Sequence, residues 1–117
     1  MFIARNLSFV DHVALMGLEV MGFAIAHQDD LWINIKDHAA IIGDAADILA
    51  RAGIRVSIYN IPLCLLDGRA REYSVLSISD WKREYWPECQ NCILRPNCGG
   101  AFFSSRARLA NEITPIH

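Results

Sequence analysis

The cysteines constrain this chain more than any other feature of its sequence. Cys64, Cys89, Cys92 and Cys98 are its only cysteines, and they follow the pattern C-x24-C-x2-C-x5-C. Three of them fall close together, whereas the first lies far upstream. A fold that brings all four thiols to one centre must therefore return the chain to the first cysteine after a long excursion. These four residues are called the cysteine quartet below.

The spacing within the quartet is typical of a metal site. The C-x2-C pair can turn both sulfurs toward one centre, and Pro96 helps the loop to bend before Cys98. The glycines that follow, Gly99 and Gly100, allow the backbone to pass close to a bulky inorganic core and to offer N–H groups to it.

Spacing alone leaves more than one use of these thiols open. A [4Fe–4S] cluster needs one thiolate per iron, and four are available. Zinc also accepts four thiolates, but a zinc ribbon usually brings a second close pair, whereas the division here is one plus three. The pattern favours an iron–sulfur cluster, with a small zinc-binding four-cysteine interaction module without catalysis as the alternative. Disulfides or unligated thiols are the third possibility.

The charge and hydropathy of the chain restrict its partners and its location. The first residues lack the apolar core of a signal peptide, so we expect a cytoplasmic location with reduced thiols. The net charge is −2 without a basic stripe, which argues against nucleic acid as a partner. The longest apolar stretch, residues 13–26, contains Glu19 and is shorter than the roughly 18–20 residues of a membrane span. The hydrophobic content of 53% exceeds the usual 45–50% or so, which suggests that a partner covers some apolar surface.

The first half of the chain has the pattern of an α/β fold. Residues 13–20 form a continuous apolar run, as in a strand buried on both faces of a parallel sheet. Residues 54–61 predict a second strand, and Gly53 is suited to end the intervening helix in a left-handed conformation. Strand, helix and strand make a βαβ unit. One face of the predicted helix carries Ile41, Ala45, Ile48, Leu49 and Ala52, while Asp44, Asp47 and Arg51 point away, and Asn34 or Asp37 is expected to cap its start.

The second half predicts a smaller, metal-held module. Cys64 follows the second strand directly, at the edge where α/β folds hold their ligands. We expect a short strand over residues 73–78, a short helix capped by Ser79 and a last helix within residues 101–112, with Pro115 ending the ordered part. A boundary near residue 64 then divides the chain into domains at 1–63 and 64–117.

Several segments resemble the auxiliary-cluster region, of the SPASM or twitch type, at the C-terminal end of radical SAM enzymes. The most specific are SISDWK at residues 77–82, PECQNC at 87–92 and CGGAFF at 98–103. Upstream, residues 13–19 and 56–64 look like late strands of the same partial barrel. The chain is most similar to the radical SAM maturase of His-Xaa-Ser peptide systems.

The resemblance implies an incomplete TIM-like barrel followed by a SPASM- or twitch-like module. It implies that the cysteine quartet ligates an auxiliary [4Fe–4S] cluster, which binds a ribosomal peptide substrate or relays an electron during its post-translational modification. It also implies that Ser57 and Asn60 lie on the side of the S-adenosylmethionine cavity, although Asn60 is equally suited to a strand-to-loop turn.

The sequence departs from the family in one large respect. The C-x3-C-x2-C motif that ligates the SAM-cleaving cluster is absent, as is the glycine-rich SAM-binding segment. The resemblance therefore implies either a truncated product or a chain that completes a barrel supplied by a second polypeptide, an N-terminal radical SAM chain or a partner maturase. S-adenosylmethionine would bind only with that missing part present, and this chain alone is not expected to be catalytic.

The remaining ionisable residues have ordinary explanations. Glu19 lies within an apolar run and needs a partner, which we expect to be an Arg or Lys of the missing barrel. The four histidines share no ligand spacing with one another or with a cysteine, so we expect none to bind metal.

Overall fold

A computed structural model describes residues 2–117 of the chain as a mixed α/β fold. Three strands form a sheet in the order β1-β2-β3: β1 (His12–Met16), β2 (Arg55–Tyr59) and β3 (Ser74–Val75). Both strand pairs are parallel, as expected for a βαβ unit. The helices before β2 are α1 (Phe2–Asn6), α2 (Phe23–Leu31) and α3 (Ala39–Arg51).

The first strand is shorter and more exposed than its apolar sequence predicts. It ends at Met16, and its side chains alternate between exposed and half-buried positions. It lies at the edge of the sheet, because only β2 pairs with it within residues 2–117. The expectation of a strand over residues 13–20, buried on both faces, is therefore wrong for this chain by itself. Its outer side lacks the neighbouring layer that would bury it.

The third helix lies close to its predicted position. Gly53 has φ of 78°, the left-handed conformation expected after the helix. The buried face, however, is formed by Gly43, Ala46 and Leu49, whereas Ile41 is 64% exposed. The predicted apolar face shares Leu49 with the buried face but is otherwise turned around the helix axis. Helical periodicity alone does not say which of two neighbouring apolar rows meets the sheet. The amide oxygen of Asn34 accepts a hydrogen bond from the Asp37 N–H at 3.1 Å, in the turn that precedes α3.

The second helix lies between the first predicted strand and the predicted helix before Gly53, in a segment to which the sequence assigned no element. None of its residues is buried, and Phe23 at its start is 91% exposed. A helix without a buried face has no periodic apolar pattern for the sequence to reveal.

One hydrophobic core joins the two predicted domains. Ile58 of β2 and Leu65 are fully enclosed, and they belong to the same cluster as Ala101 and Leu109 from the end of the chain. Within the described part of the chain, no helix has both the length and the apolar character needed to cross a bilayer.

A second, smaller sheet frames the three close cysteines. Strand β4 (Arg83–Glu84) pairs antiparallel with β5 (Ala101–Phe102), so residues 85–100 form a loop between them, called the cysteine loop here. The loop closes at Gly100, which has φ of 70°. A Cβ at that position would lie 2.8 Å from the Glu84 carbonyl oxygen, so the close pairing requires glycine.

The helices predicted around this sheet are mostly replaced by shorter elements. The segment after Ser79 is a single 3-10 turn, Asp80–Lys82, that runs directly into β4. The segment 101–112 begins as β5, and only Arg106–Leu109 is α-helical (α4). Residues 83–84 and 101–102 pair with each other as β4 and β5, so they do not continue a helix, and their pairing closes the cysteine loop.

Candidate metal centre

The four members of the cysteine quartet line one cavity, called the cysteine cavity here. Its enclosed space is about 20 Å³, and the volume rises to about 360 Å³ when the open mouth is included. Cys64 enters it from the short turn Leu63–Leu65, which follows the last strand residues of β2. The other three enter from the cysteine loop, which contains two further 3-10 turns, Pro87–Asn91 and Arg95–Asn97. The chain therefore returns to the upstream cysteine, as the spacing of the four cysteines requires if they serve one centre.

The backbone around the cavity directs N–H groups at the sulfurs. The N–H groups of Leu63 and Gly100 both donate to Cys98 Sγ at 3.4 Å, and that of Ile116 donates to Cys92 Sγ at 3.3 Å. A backbone hydrogen bond from Thr114 reaches Cys64. Such donors stabilise a thiolate and are the usual surroundings of sulfur ligands in metal and cluster sites.

The end of the chain forms one side of the site. Ile113 and Pro115 line the cysteine cavity. The Ile93 N–H donates to the Ile116 carbonyl oxygen at 2.7 Å, which ties the last residues to the cysteine loop. The expectation that the ordered part ends at Pro115 is therefore wrong. Residues 113–117 are called the C-terminal tail below.

A buried glutamate anchors the approach to this tail. Glu112 is 4% exposed, and its carboxylate accepts a hydrogen bond from the Lys36 N–H at 3.1 Å. The Lys36 ammonium donates to the Thr114 hydroxyl at 2.9 Å. The segment before α3 thus holds the tail in place from the side opposite the cysteine loop.

The environment changes the acidity of the upstream cysteine. Burial raises the pKa of the Cys64 thiol above its usual value, the hydrogen bond from Thr114 lowers it, and the charges of Cys98 and the other two thiols raise it again. The net effect is a raised pKa, so the metal-free thiol keeps its proton at neutral pH. Binding a metal there would release that proton, because the thiolate is the ligand.

Aromatic and cationic side chains complete the wall. Tyr85 and Trp86 line the cavity together with Arg95. The Tyr85 hydroxyl donates to the Cys98 carbonyl oxygen at 2.7 Å, which fixes the turn that carries the last cysteine. The outer wall is therefore held in place by hydrogen bonding as well as by apolar packing.

The arrangement of the side chains bears on the kind of metal group that fits. In a tetrahedral zinc site, four sulfurs lie about 2.3 Å from the ion and hence about 3.8 Å from one another. Across residues 2–117, no group of three or more His, Cys, Asp or Glu side chains is arranged to hold a metal ion. A [4Fe–4S] cluster takes one thiolate at each iron, around a larger core. Binding of either group by the quartet stays a prediction.

The two residues predicted on the S-adenosylmethionine side lie outside the lining of the cysteine cavity. Ser57 is on β2, where its hydroxyl is 2.8 Å from His12 Nε2. Asn60 follows β2 with φ of 65°, and its amide oxygen accepts a hydrogen bond from the Ser77 hydroxyl at 3.1 Å. This geometry is the strand-to-loop turn that was the other interpretation of Asn60. Contact with S-adenosylmethionine stays a prediction.

Glu19 finds its partner within the chain. Its carboxylate accepts a hydrogen bond from the Lys82 ammonium at 3.0 Å. The expected partner type is correct, but the expected source, a barrel outside this chain, is wrong. The contact joins the segment after β1 to the turn that leads into β4.

Sequence patterns missed the donors from the C-terminal tail and the stacking of Arg95 on Tyr85, whose ring centre lies 3.9 Å from the guanidinium carbon. The signal available was weak: an Ile-Thr-Pro-Ile segment whose apolar residues had no assigned element to pack against. The glycines after the last cysteine were expected to offer N–H groups to an inorganic core. The Gly100 N–H donates to Cys98 Sγ, and a contact with a core stays a prediction.

Comparison of the chain with protein-family models, with curated proteins and with solved structures gives no match.

Proposed function

We propose that the cysteine quartet binds one [4Fe–4S] cluster. The observation that carries this proposal is the convergence of all four cysteines on one cavity, where backbone N–H groups donate to the sulfurs of Cys98 and Cys92. A donor set of four thiolates with hydrogen-bonded sulfurs is the chemistry such a cluster requires. When bound, the cluster supplies one-electron transfer.

The chain's own residues have defined tasks in this proposal. Leu63 and Gly100 hold the Cys98 sulfur through their N–H groups, and Ile116 holds the Cys92 sulfur. The C-terminal tail and Trp86 restrict the access of water to the cavity. Solvent exposure and N–H···S contacts both set the potential of a cluster, so these residues determine how easily it takes up an electron.

We further propose that the chain is the auxiliary-cluster part of a radical SAM enzyme that modifies a ribosomal peptide, in the cytoplasm. The support is the resemblance of the cysteine segments, together with the surface of the first third of the chain. Among residues 2–117, fourteen large hydrophobic side chains are exposed, and eight of them lie within residues 2–33, around the edge strand β1. A second polypeptide carrying the SAM-cleaving motif would cover that region and extend the sheet. Ser57 and Asn60 would contact S-adenosylmethionine only in that assembly.

Anaerobic reconstitution with iron and sulfide tests the cluster directly. We expect about four irons and four sulfides per chain, broad absorbance in the blue, and a paramagnetic signal after reduction. A chain with all four cysteines changed to serine is the control and should stay colourless. One zinc per chain, displacing iron in competition, would instead support the four-cysteine zinc module without catalysis.

The role in a larger enzyme has a separate test. We expect a neighbouring reading frame that encodes C-x3-C-x2-C, and co-expression of the two chains should yield a complex with two kinds of cluster. That complex should cleave S-adenosylmethionine reductively, whereas this chain alone should not. A stable, cluster-loaded chain without any such neighbour would contradict the split-enzyme proposal. It would still support the proposal that the quartet binds a cluster.

A further inference from the structure

Arg95 places a positive charge on the wall of the cysteine cavity. It lines the cavity together with the quartet, and its guanidinium carbon lies 3.9 Å from the centre of the Tyr85 ring. The same tyrosine donates its hydroxyl to the Cys98 carbonyl oxygen. The cation is therefore stacked on a ring that is itself fixed to the turn carrying a ligand residue.

The backbone of Arg95 is held equally closely. Its N–H donates to the Cys92 carbonyl oxygen at 3.1 Å, and its own carbonyl oxygen accepts from the Cys98 N–H at 3.2 Å. The residue thus occupies the middle of the turn between two members of the quartet. Fixed at its backbone and at its guanidinium, Arg95 keeps a constant relation to the sulfurs.

The charge of Arg95 lacks a carboxylate partner in residues 2–117, where its guanidinium forms no ion pair. Arg106 offers a direct comparison, since it lines the groove on the outer side of the same wall together with Arg95. Arg106 is paired with Glu84 at 2.6 Å, so these two charges largely cancel. Glu84 also lines the cysteine cavity, but its charge is compensated in this way.

We infer that Arg95 is the counter-charge of the group bound by the cysteine quartet and that it raises the reduction potential of that group. The inference rests on the proposed function. Uptake of one electron from an external donor adds negative charge to a site already rich in thiolate. A fixed cation nearby stabilises that reduced state more than the oxidised one. Because arginine stays protonated at every working pH, its effect is independent of pH.

Redox titration of reconstituted protein tests this role, using wild type, the variants Arg95→Gln and Arg95→Lys, and the control Arg51→Gln. Arg95→Gln should lower the midpoint potential, so that the ratio of reduced to oxidised cluster at a fixed poise falls roughly tenfold, which is about 59 mV for a one-electron couple. Arg95→Lys keeps the charge and should restore most of the wild-type potential. Arg51→Gln changes an exposed arginine of α3 outside the cavity lining and should leave the potential nearly unchanged. Iron content and the spectrum of each variant establish that the cluster is intact.

The outcomes separate this inference from the proposed function. A wild-type chain that assembles no cluster overturns both. An intact cluster whose potential is the same in wild type and Arg95→Gln overturns the counter-charge role alone. Loss of the cluster in Arg95→Gln but not in Arg95→Lys supports the role, because lysine keeps the positive charge that glutamine lacks. Loss in both variants shows that the stacked guanidinium is needed for folding of the loop and overturns the inference.

Discussion

The backbone N–H of Leu63 donates a hydrogen bond to Cys98 Sγ at 3.4 Å, across 35 residues of sequence. This contact joins the turn that follows β2 to the far end of the cysteine loop. Because Cys64 is the next residue after Leu63, the same contact brings the isolated upstream cysteine to the other three. The predictions below test this junction and the elements that support it.

The first prediction concerns the upstream cysteine. Cys64→Ala should lose most of the iron bound by the reconstituted chain, and to the same extent as Cys98→Ala, because each iron of the cluster needs its thiolate. Iron and sulfide per chain are the measurement. Ser79→Ala, an exposed position outside the cavity lining, is the control and should retain wild-type iron. Full iron retention in Cys64→Ala would mean that the convergence seen in the fold is not used for ligation.

The second prediction concerns the donor from the C-terminal tail. Ile116→Pro removes the N–H that reaches Cys92 Sγ at 3.3 Å, whereas Ile116→Ala keeps that N–H and shortens only the side chain. Loss of a contact to a metal ligand typically weakens binding roughly tenfold or more. Cluster loss to a chelator, followed by absorbance, should therefore be about tenfold faster in the proline variant. Equal rates in the two variants would assign the role of the tail to packing instead.

The third prediction concerns the closure of the cysteine loop. Gly100→Ala forces a left-handed backbone on alanine and also brings its Cβ to 2.8 Å from the Glu84 carbonyl oxygen. Gly53→Ala also forces a left-handed backbone on alanine, but its Cβ meets no atom within 4 Å. Gly68→Ala has neither the left-handed backbone nor a close contact. The free energy of unfolding should fall by about 1–2 kcal/mol in Gly53→Ala and by more in Gly100→Ala.

Urea unfolding of the three glycine variants gives the comparison. Gly68→Ala should stay within about 0.5 kcal/mol of wild type. If Gly100→Ala is no less stable than Gly53→Ala, the close approach of β4 to β5 at this glycine does not exist in solution.

The fourth prediction concerns acid stability. Hydrogen bonds from the Arg69 side chain and backbone hold the pKa of the Asp67 carboxyl below its usual value of 3.8. A carboxyl with a lowered folded-state pKa contributes stability that is fully present above the unfolded value and is lost as the pH falls through the folded value. The contribution of Asp67 should therefore start to fall below about pH 4 and be lost once the pH is below the lowered folded-state pKa.

The matched variants for this test are Asp67→Asn and Asp30→Asn. Asp67→Asn should flatten the fall in urea midpoint between pH 5 and pH 2 or so, because the titrating group is gone. Asp30 is exposed and forms no ion pair within residues 2–117, so Asp30→Asn should follow the wild-type profile. If the urea midpoint of Asp67→Asn falls with pH as steeply as that of wild type, the Asp67–Arg69 contact does not contribute to the loss of stability in acid.

The elements with strong local patterns were predictable from the sequence. The helix before Gly53 and the strand that leads to Cys64 have periodic apolar residues and a clear stop, and both are present near their expected positions. The short elements near the cysteine loop were not predictable in this way. Two-residue strands such as β4 and β5 exist only because they pair with each other. A segment of two residues is too short to show the alternation of apolar and polar residues that predicts a strand.

The sequence by itself determined which residues the proposed donor set contains and that the chain must return over a long range to bring them together, because the four cysteines are divided one plus three. Only the tertiary structure decided which groups surround the sulfurs. The pairing of Glu19 with Lys82 spans 63 residues, and the contact of Lys36 with Thr114 spans 78. Contacts between such distant residues depend on how the elements pack, and local periodicity contains no information about that packing.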